Sequence, residues 1–123
     1  MRKLLYIFCM ACVVIGCARM GHPDGGWYDD DPPVVIGSRP ADQSTNISAK
    51  KITIYFNEYI KLEDATNKVI VSPPQLEVPE IKEAGKRIVV ELQDSLKANT
   101  TYTIDFSDAI SDNNEGNPLG NYT

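Results

Sequence analysis

The chain has 123 residues and a formal net charge of -5, with 17 acidic residues against 12 basic ones. An acidic chain without clustered Lys and Arg excludes a nucleic-acid grip, and it equally excludes an electrostatic hold on anionic lipid headgroups. The three cysteines all fall at or before position 17, which excludes a disulfide framework, cysteine catalysis and thiolate metal sites from everything that follows.

Met1-Arg2-Lys3 begins the chain with positive charge, and residues 4–15 form an unbroken apolar run. A membrane span needs ~20 apolar residues, so this run is too short to cross and has the length of a signal-peptide core. Cys9 and Cys12 lie inside it, so their CxxC spacing is neither a redox nor a zinc motif. Val14-Ile15-Gly16-Cys17-Ala18 then resembles a bacterial lipobox. The resemblance implies that residues 1–16 are a lipoprotein signal peptide, that Cys17 is acylated, with palmitate among its chains, and that Cys17 becomes the mature N-terminus. The competing reading is an ordinary secretory signal, or an uncleaved anchor, with a chance cysteine. Each buried CH₂ contributes ~0.8 kcal/mol of membrane affinity, so a multiply acylated cysteine stays on the bilayer. The expected location is the cell envelope, on the outer membrane, since Ala18 lacks the acid associated with inner-membrane retention. With Arg2 and Lys3 removed, ten basic residues face 17 acidic ones, a net charge near -7.

Residues 17–33 read as the lipidated cysteine and an acidic tether. Gly21, Gly25 and Gly26 give freedom, Asp29-Asp30-Asp31 repel one another, and Pro32-Pro33 favour an extended path. Trp27-Tyr28 is the one apolar interruption; a side-chain pair lying on the domain or on headgroups is preferred over a partner contact. Three adjacent carboxylates without a turn do not converge on one cation, so the Asp run reads as solvated charge.

From residue 34 the chain alternates strand-like runs with turn signals, the mark of an all-β domain spanning 34–123. Residues 34–36 are a short first strand, confined to an edge by Pro32-Pro33. Residues 39–48 are loop. Residues 51–56 are the clearest strand, with Ile52, Ile54 and Phe56 on one face, and residues 57–60 are expected to continue it. Residues 68–72 form a third strand with either Val69 and Val71 or Ile70 inward. Residues 76–82 are a weak strand interrupted by Pro79. Gly85 turns the chain into 87–92, where Ile88, Val90 and Leu92 share a face. Residues 101–106 follow, with Tyr102, Ile104 and Phe106 aligned. No segment after Cys17 has a sustained helical period.

Leu96-Lys97-Ala98-Asn99-Thr100-Thr101-Tyr102 resembles the corner of immunoglobulin-like and fibronectin-like sandwiches, in which a Leu, a turn and a Thr precede a Tyr at the start of a strand. By that resemblance Leu96, Thr100 and Tyr102 form a structural corner, with the Tyr hydroxyl bonded to upstream backbone. Ala98-Asn99 replaces the usual Pro-Gly; Asn tolerates the left-handed conformation that such a turn needs. Together with the Pro-Pro-Val opening strand, Phe56-Asn57-Glu58-Tyr59, Ser72-Pro73-Pro74 and Asp108-Ala109-Ile110-Ser111-Asp112-Asn113-Asn114-Glu115-Gly116-Asn117, the pattern is similar to the bacterial Ig-like domain of S-layer-type proteins, and more narrowly to Bacteroidetes-type lipoproteins. The resemblance implies an Ig-like β-sandwich without catalysis. In the family Gly-Asn-Pro-Leu leads into a last alternating strand, whereas here Asn121-Tyr122-Thr123 ends the sequence. The sandwich is therefore expected to lack its last strand and to expose a sheet edge. Truncation or a fragment of a longer protein, an envelope enzyme included, accounts for this better than a strand donated by a partner.

The remaining polar motifs carry little chemistry. Asp108, Asp112, Asn114 and Glu115 are candidate Ca²⁺ ligands, but Gly116 breaks the EF-hand spacing and a polar hairpin is the preferred reading. Glu58, Glu63 and Asp64 lack an orienting pocket, and His22, the one histidine, lies in the tether, so no triad forms. Asp94-Ser95-Leu96 matches a short O-glycosylation acceptor, with turn formation by Ser95 as the plainer account. No cofactor is implied. The expected function is a non-catalytic spacer or interaction module held to the membrane through Cys17. The alternative is a surface module that binds protein or glycan, including by its open edge.

Overall fold

The computed structural model describes residues 1–12 and 30–123. Cys17, His22, Trp27, Tyr28 and Asp29 therefore lie outside the described residues. Helix α1 (Arg2–Cys12) has 11 residues. At 1.5 Å per residue it is about 16 Å long, half the ~30 Å of a bilayer core. No helix among the described residues is long and apolar enough to cross a membrane.

The domain has two layers of antiparallel strands. The first layer runs in the order β1 (Val35–Arg39), β2 (Lys51–Phe56), β6 (Arg87–Glu91), β5 (Glu80–Glu83). The second is built of two short pairs, β3 (Ile60–Leu62) with β8 (Ile110–Asp112), and β4 (Ile70–Ser72) with β7 (Thr103–Asp105). Alternation puts every second side chain of β2 and β6 between the layers. Ile54, Phe56, Ile88, Val90 and Leu92 are buried there against Ile60, Phe106 and Ile110 of the second layer. The all-β Ig-like fold expected from the sequence is thus the fold observed.

Particular elements depart from expectation. Residues 57–60 do not continue β2. Asn57 turns back on the first strand instead: its side-chain oxygen accepts the Val34 N–H at 2.8 Å, and its own N–H donates to the Val34 carbonyl at 3.0 Å. The chain then crosses to the other layer and starts β3. The first strand is an edge strand, as the prolines predict, but it runs on to Arg39 and has an irregularity between Val35 and Gly37. One helical turn, α2 (Ala65–Lys68), lies between β3 and β4, with Asp64 at φ 52 before it. In β4 the ambiguity resolves: Val69 and Val71 pack on the core, and Ile70 is exposed. Residues 76–79 are loop, and the strand begins only after Pro79. Strand β8 was not expected at all.

The C-terminal residues do not form a regular strand. They lie along 106–112 through two isolated bridges, Ser107 with Tyr122 and Ser111 with Pro118. Four amides secure this segment: Asp112 N–H donates to the Asn117 carbonyl at 3.0 Å, Leu119 N–H to Ile110 at 2.9 Å, Phe106 N–H to Tyr122 at 2.8 Å, and Tyr122 N–H to Ser107 at 3.3 Å.

The registers define two poles. Val35 pairs with Phe56, and Tyr55 with Arg87, at the pole where the chain enters from Pro33. Asp31 is held at that same pole, its carbonyl 3.4 Å from the Asn117 side-chain nitrogen. Lys51 pairs with Glu91, which pairs with Glu80, and Ser72 pairs with Thr103, at the opposite pole. Strand β2 of six residues spans about 20 Å between them.

Candidate functional site

The corner residues come together at the far pole. The Tyr102 hydroxyl accepts the Lys97 N–H at 2.8 Å, and the Thr100 hydroxyl donates to the Ala98 carbonyl at 2.9 Å. Asn99 takes φ 52, the left-handed turn that an Asn tolerates. Leu96 and Tyr102 both pack on the core. The crossover from β6 to β7 is therefore fixed by one phenol at its base. Replacing Tyr102 by Phe keeps the ring and removes one acceptor. The expected loss is about 1 kcal/mol, a fall of a few degrees in Tm, measured by urea unfolding with unchanged m. An unchanged midpoint would mean that water replaces the phenol at no cost.

The candidate Ca²⁺ ligands are not brought together. Asp112 is about 1% exposed. Its Oδ1 accepts the N–H groups of Glu115 and Gly116, both at 2.7 Å, and its Oδ2 accepts that of Asn117 at 3.2 Å. Burial pushes its pKa up, but these amide bonds outweigh burial and hold it below the ordinary 3.8. Gly116, at φ 75, supplies the turn that aims the amides inward. Asp108, four residues before Asp112, is engaged instead with the Lys68 ammonium at 3.1 Å, which lowers its pKa. Asn114 is exposed and Glu115 half-buried. Among the described residues no three His, Cys, Asp or Glu side chains are grouped to hold a metal.

The other carboxylates are similarly committed. Glu63 is exposed and 3.6 Å from Lys61, and Asp64 accepts the Asn67 side-chain amide at 2.7 Å. Glu58 is half-buried beside the exposed Tyr59, which carries the Lys86 ammonium 5.4 Å above its ring. Ser95 is exposed, at the far pole, next to an Asp94 that is fully engaged. An open groove of about 400 Å³ lies between β1 and the C-terminal segment, lined by Val35, Ile36, Gly37, Ser38, Ala41, Asp42 and Tyr122. Its polar lining is the Asp42 carboxylate with the hydroxyls of Ser38 and Tyr122, and it includes no cationic side chain.

The site that sequence reading missed is the loop before β5. The Asp94 carboxylate accepts the N–H groups of Leu76 at 2.6 Å and Glu77 at 3.0 Å. These two bonds lower the Asp94 pKa, against a smaller opposing effect of burial and with help from Lys50 and Lys97. The loop displays Leu76 and Val78 to solvent. The available signal was Leu-Glu-Val bracketed by Pro73-Pro74 and Pro79, which reads as a weak strand when only alternation is counted.

Two facing layers of antiparallel strands, closed by a phenol at the crossover, define an immunoglobulin-like β-sandwich. The chain belongs to the bacterial Ig-like domain family, whose model matches residues 29–123. Domains of this family are generally non-catalytic structural or interaction modules. No curated protein and no solved structure matches the chain.

Proposed function

We propose that the chain is a lipid-anchored module of the cell envelope, held to the outer membrane through Cys17, which spaces or presents a binding surface away from the lipid. The observation that carries this reading is Gly16-Cys17 placed directly after a charge-free apolar run that is too short to span a bilayer. Residue 33 enters at one pole, so in this reading the opposite pole is the one free to face away from the bilayer. The stretch between Cys17 and Pro33 has a contour of at most ~55 Å, which bounds how far the domain can work from the surface. The acidic mature chain gives no second electrostatic hold on anionic lipid, so the acyl chains carry the attachment.

Mass spectrometry of protein recovered from cells tests the reading. The expected mature N-terminus is Cys17, bearing acyl mass. Cys17→Ala is expected to retain residues 1–16 and to lose all acyl mass. A parent protein with an unmodified Cys17, or with its leader intact, would falsify the anchor and the envelope role with it.

The interaction side of this reading is favoured over a bare spacer by one observation, the exposure of Leu76 and Val78 on a fixed loop. A spacer needs no large apolar side chains in solvent at its outer pole. The ligand class of such a module is protein or glycan.

A further inference from the structure

We propose that residues 73–79 form a preformed apolar hook that docks into an apolar pocket of a partner protein, with a cationic group at the rim of that pocket. The inference rests on the reading of the domain as an interaction module and names the surface and the chemistry of the partner.

Leu76 is 96% exposed and Val78 78%, the two most exposed large apolar side chains of the folded domain. Side chains that far into solvent usually belong to mobile backbone, but this backbone is held. Asp94 bonds the amides of Leu76 and Glu77, and the Gln75 side chain donates to the Pro73 carbonyl at 2.8 Å. Pro73, Pro74 and Pro79 fix three further φ angles. A loop ordered before binding gives up little conformational entropy on binding, which is how rigid protrusions gain affinity over flexible ones.

The charge between the two apolar side chains selects the partner. Glu77 is exposed and forms no ion pair among the described residues. Lys50 and Lys97 sit near Asp94 and compensate that carboxylate, which leaves Glu77 as the charge a partner must answer. A cation at the rim of the pocket does so. A lipid surface does not, because Glu77 would be carried into the headgroups with its neighbours. The hook also lies at the pole opposite the point where the chain enters, away from the expected bilayer. A second copy docking hook to hook would set Glu77 against Glu77.

Photocrosslinking in the cells that make the full chain tests the inference. A photoreactive residue is placed in turn at Val78, at Ile36 on the β1 edge, and at Tyr59 on the entry pole. The expected result is one discrete adduct with a different protein from position 78, and none from 36 or 59. With that partner purified, Leu76→Ala and Val78→Ala are each expected to weaken binding at least 10-fold, with unfolding curves unchanged. Glu77→Lys should weaken it by a similar factor. Asp94→Ala keeps both apolar side chains but frees the loop, and should weaken binding 3- to 10-fold. Adducts from 36 or 59 alone overturn the hook and leave the interaction module standing. No adduct at any position overturns both. A lipid adduct or a self-adduct at 78, or unaltered affinity in Leu76→Ala, overturns the protein pocket.

Discussion

Phe106→Ala is expected to lower the stability of the domain by about 3–5 kcal/mol. Domains of this size hold only about 5–15 kcal/mol in total, so the variant sits near the edge of folding at 37 °C. The reason is position. Phe106 is about 1% exposed and lies in the core between the two layers, among Phe56, Ile88, Val90 and Ile110. Its ring stands 5.9 Å from that of Tyr122, tilted by 30°. Its backbone N–H is one of the bonds that hold the C-terminal segment. Removing the ring opens a cavity beneath both layers and takes away the contact on which Tyr122 rests. Two measurements check this. Urea unfolding should show the midpoint fall, and hydrogen exchange should show the Tyr122 amide opening ahead of the β2 and β6 amides. A loss below about 1 kcal/mol would mean that the layers close over the gap, and that this contact does not govern their packing.

The parts of this fold that were legible in the sequence are those governed by burial on one face. Ile52-Ile54-Phe56, Ile88-Val90-Leu92 and Tyr102-Ile104-Phe106 alternate because water lies on one side of each strand and the opposite layer on the other, and all three sets pack together as read. The parts that failed are governed by particular hydrogen bonds. Residues 57–60 look like strand because Tyr59 and Ile60 extend the apolar pattern. What ends β2 is Asn57 bonding to Val34, a contact across 23 positions that alternation does not encode. Strand β8 was hidden for a more local reason. Ile110-Ser111-Asp112 is buried throughout, yet two of its three residues are polar. An aspartate in a core strand is offset by three turn amides only three to five positions on, a local turn that counting apolar alternation does not register. The loop that carries Leu76 resembles the end of β2 instead, since its order comes from Asp94, 18 positions away. Cys17 was legible as a motif alone.

The second large effect falls on Asp112. Asp112→Ala is expected to lower Tm by on the order of 10 °C, because the amides of Glu115, Gly116 and Asn117 lose their acceptor together. The damage should spread from there along 117–122, so that the Leu119 amide, bonded to Ile110, exchanges faster than in the parent. The charge makes a separate prediction. The folded pKa of Asp112 lies below its ordinary 3.8, so the unfolded chain binds the proton more tightly. The stability it contributes is therefore complete above about pH 5 and drains away as pH falls through 3.8 toward the folded value. Asp94 and Asp108 are shifted in the same direction and titrate in the same window. Asp112→Asn separates the two effects. It keeps one oxygen for the Glu115 and Gly116 amides but turns an NH₂ group toward the Asn117 N–H, so it is destabilised at pH 7. On acidification from pH 5 to 3 it should then lose less stability than the parent, with the remaining slope due to Asp94 and Asp108. If parent and Asn variant lose equal stability over that range, the Asp112 carboxylate is not held by the turn in its charged form, and the C-terminal segment must be secured by its apolar contacts alone.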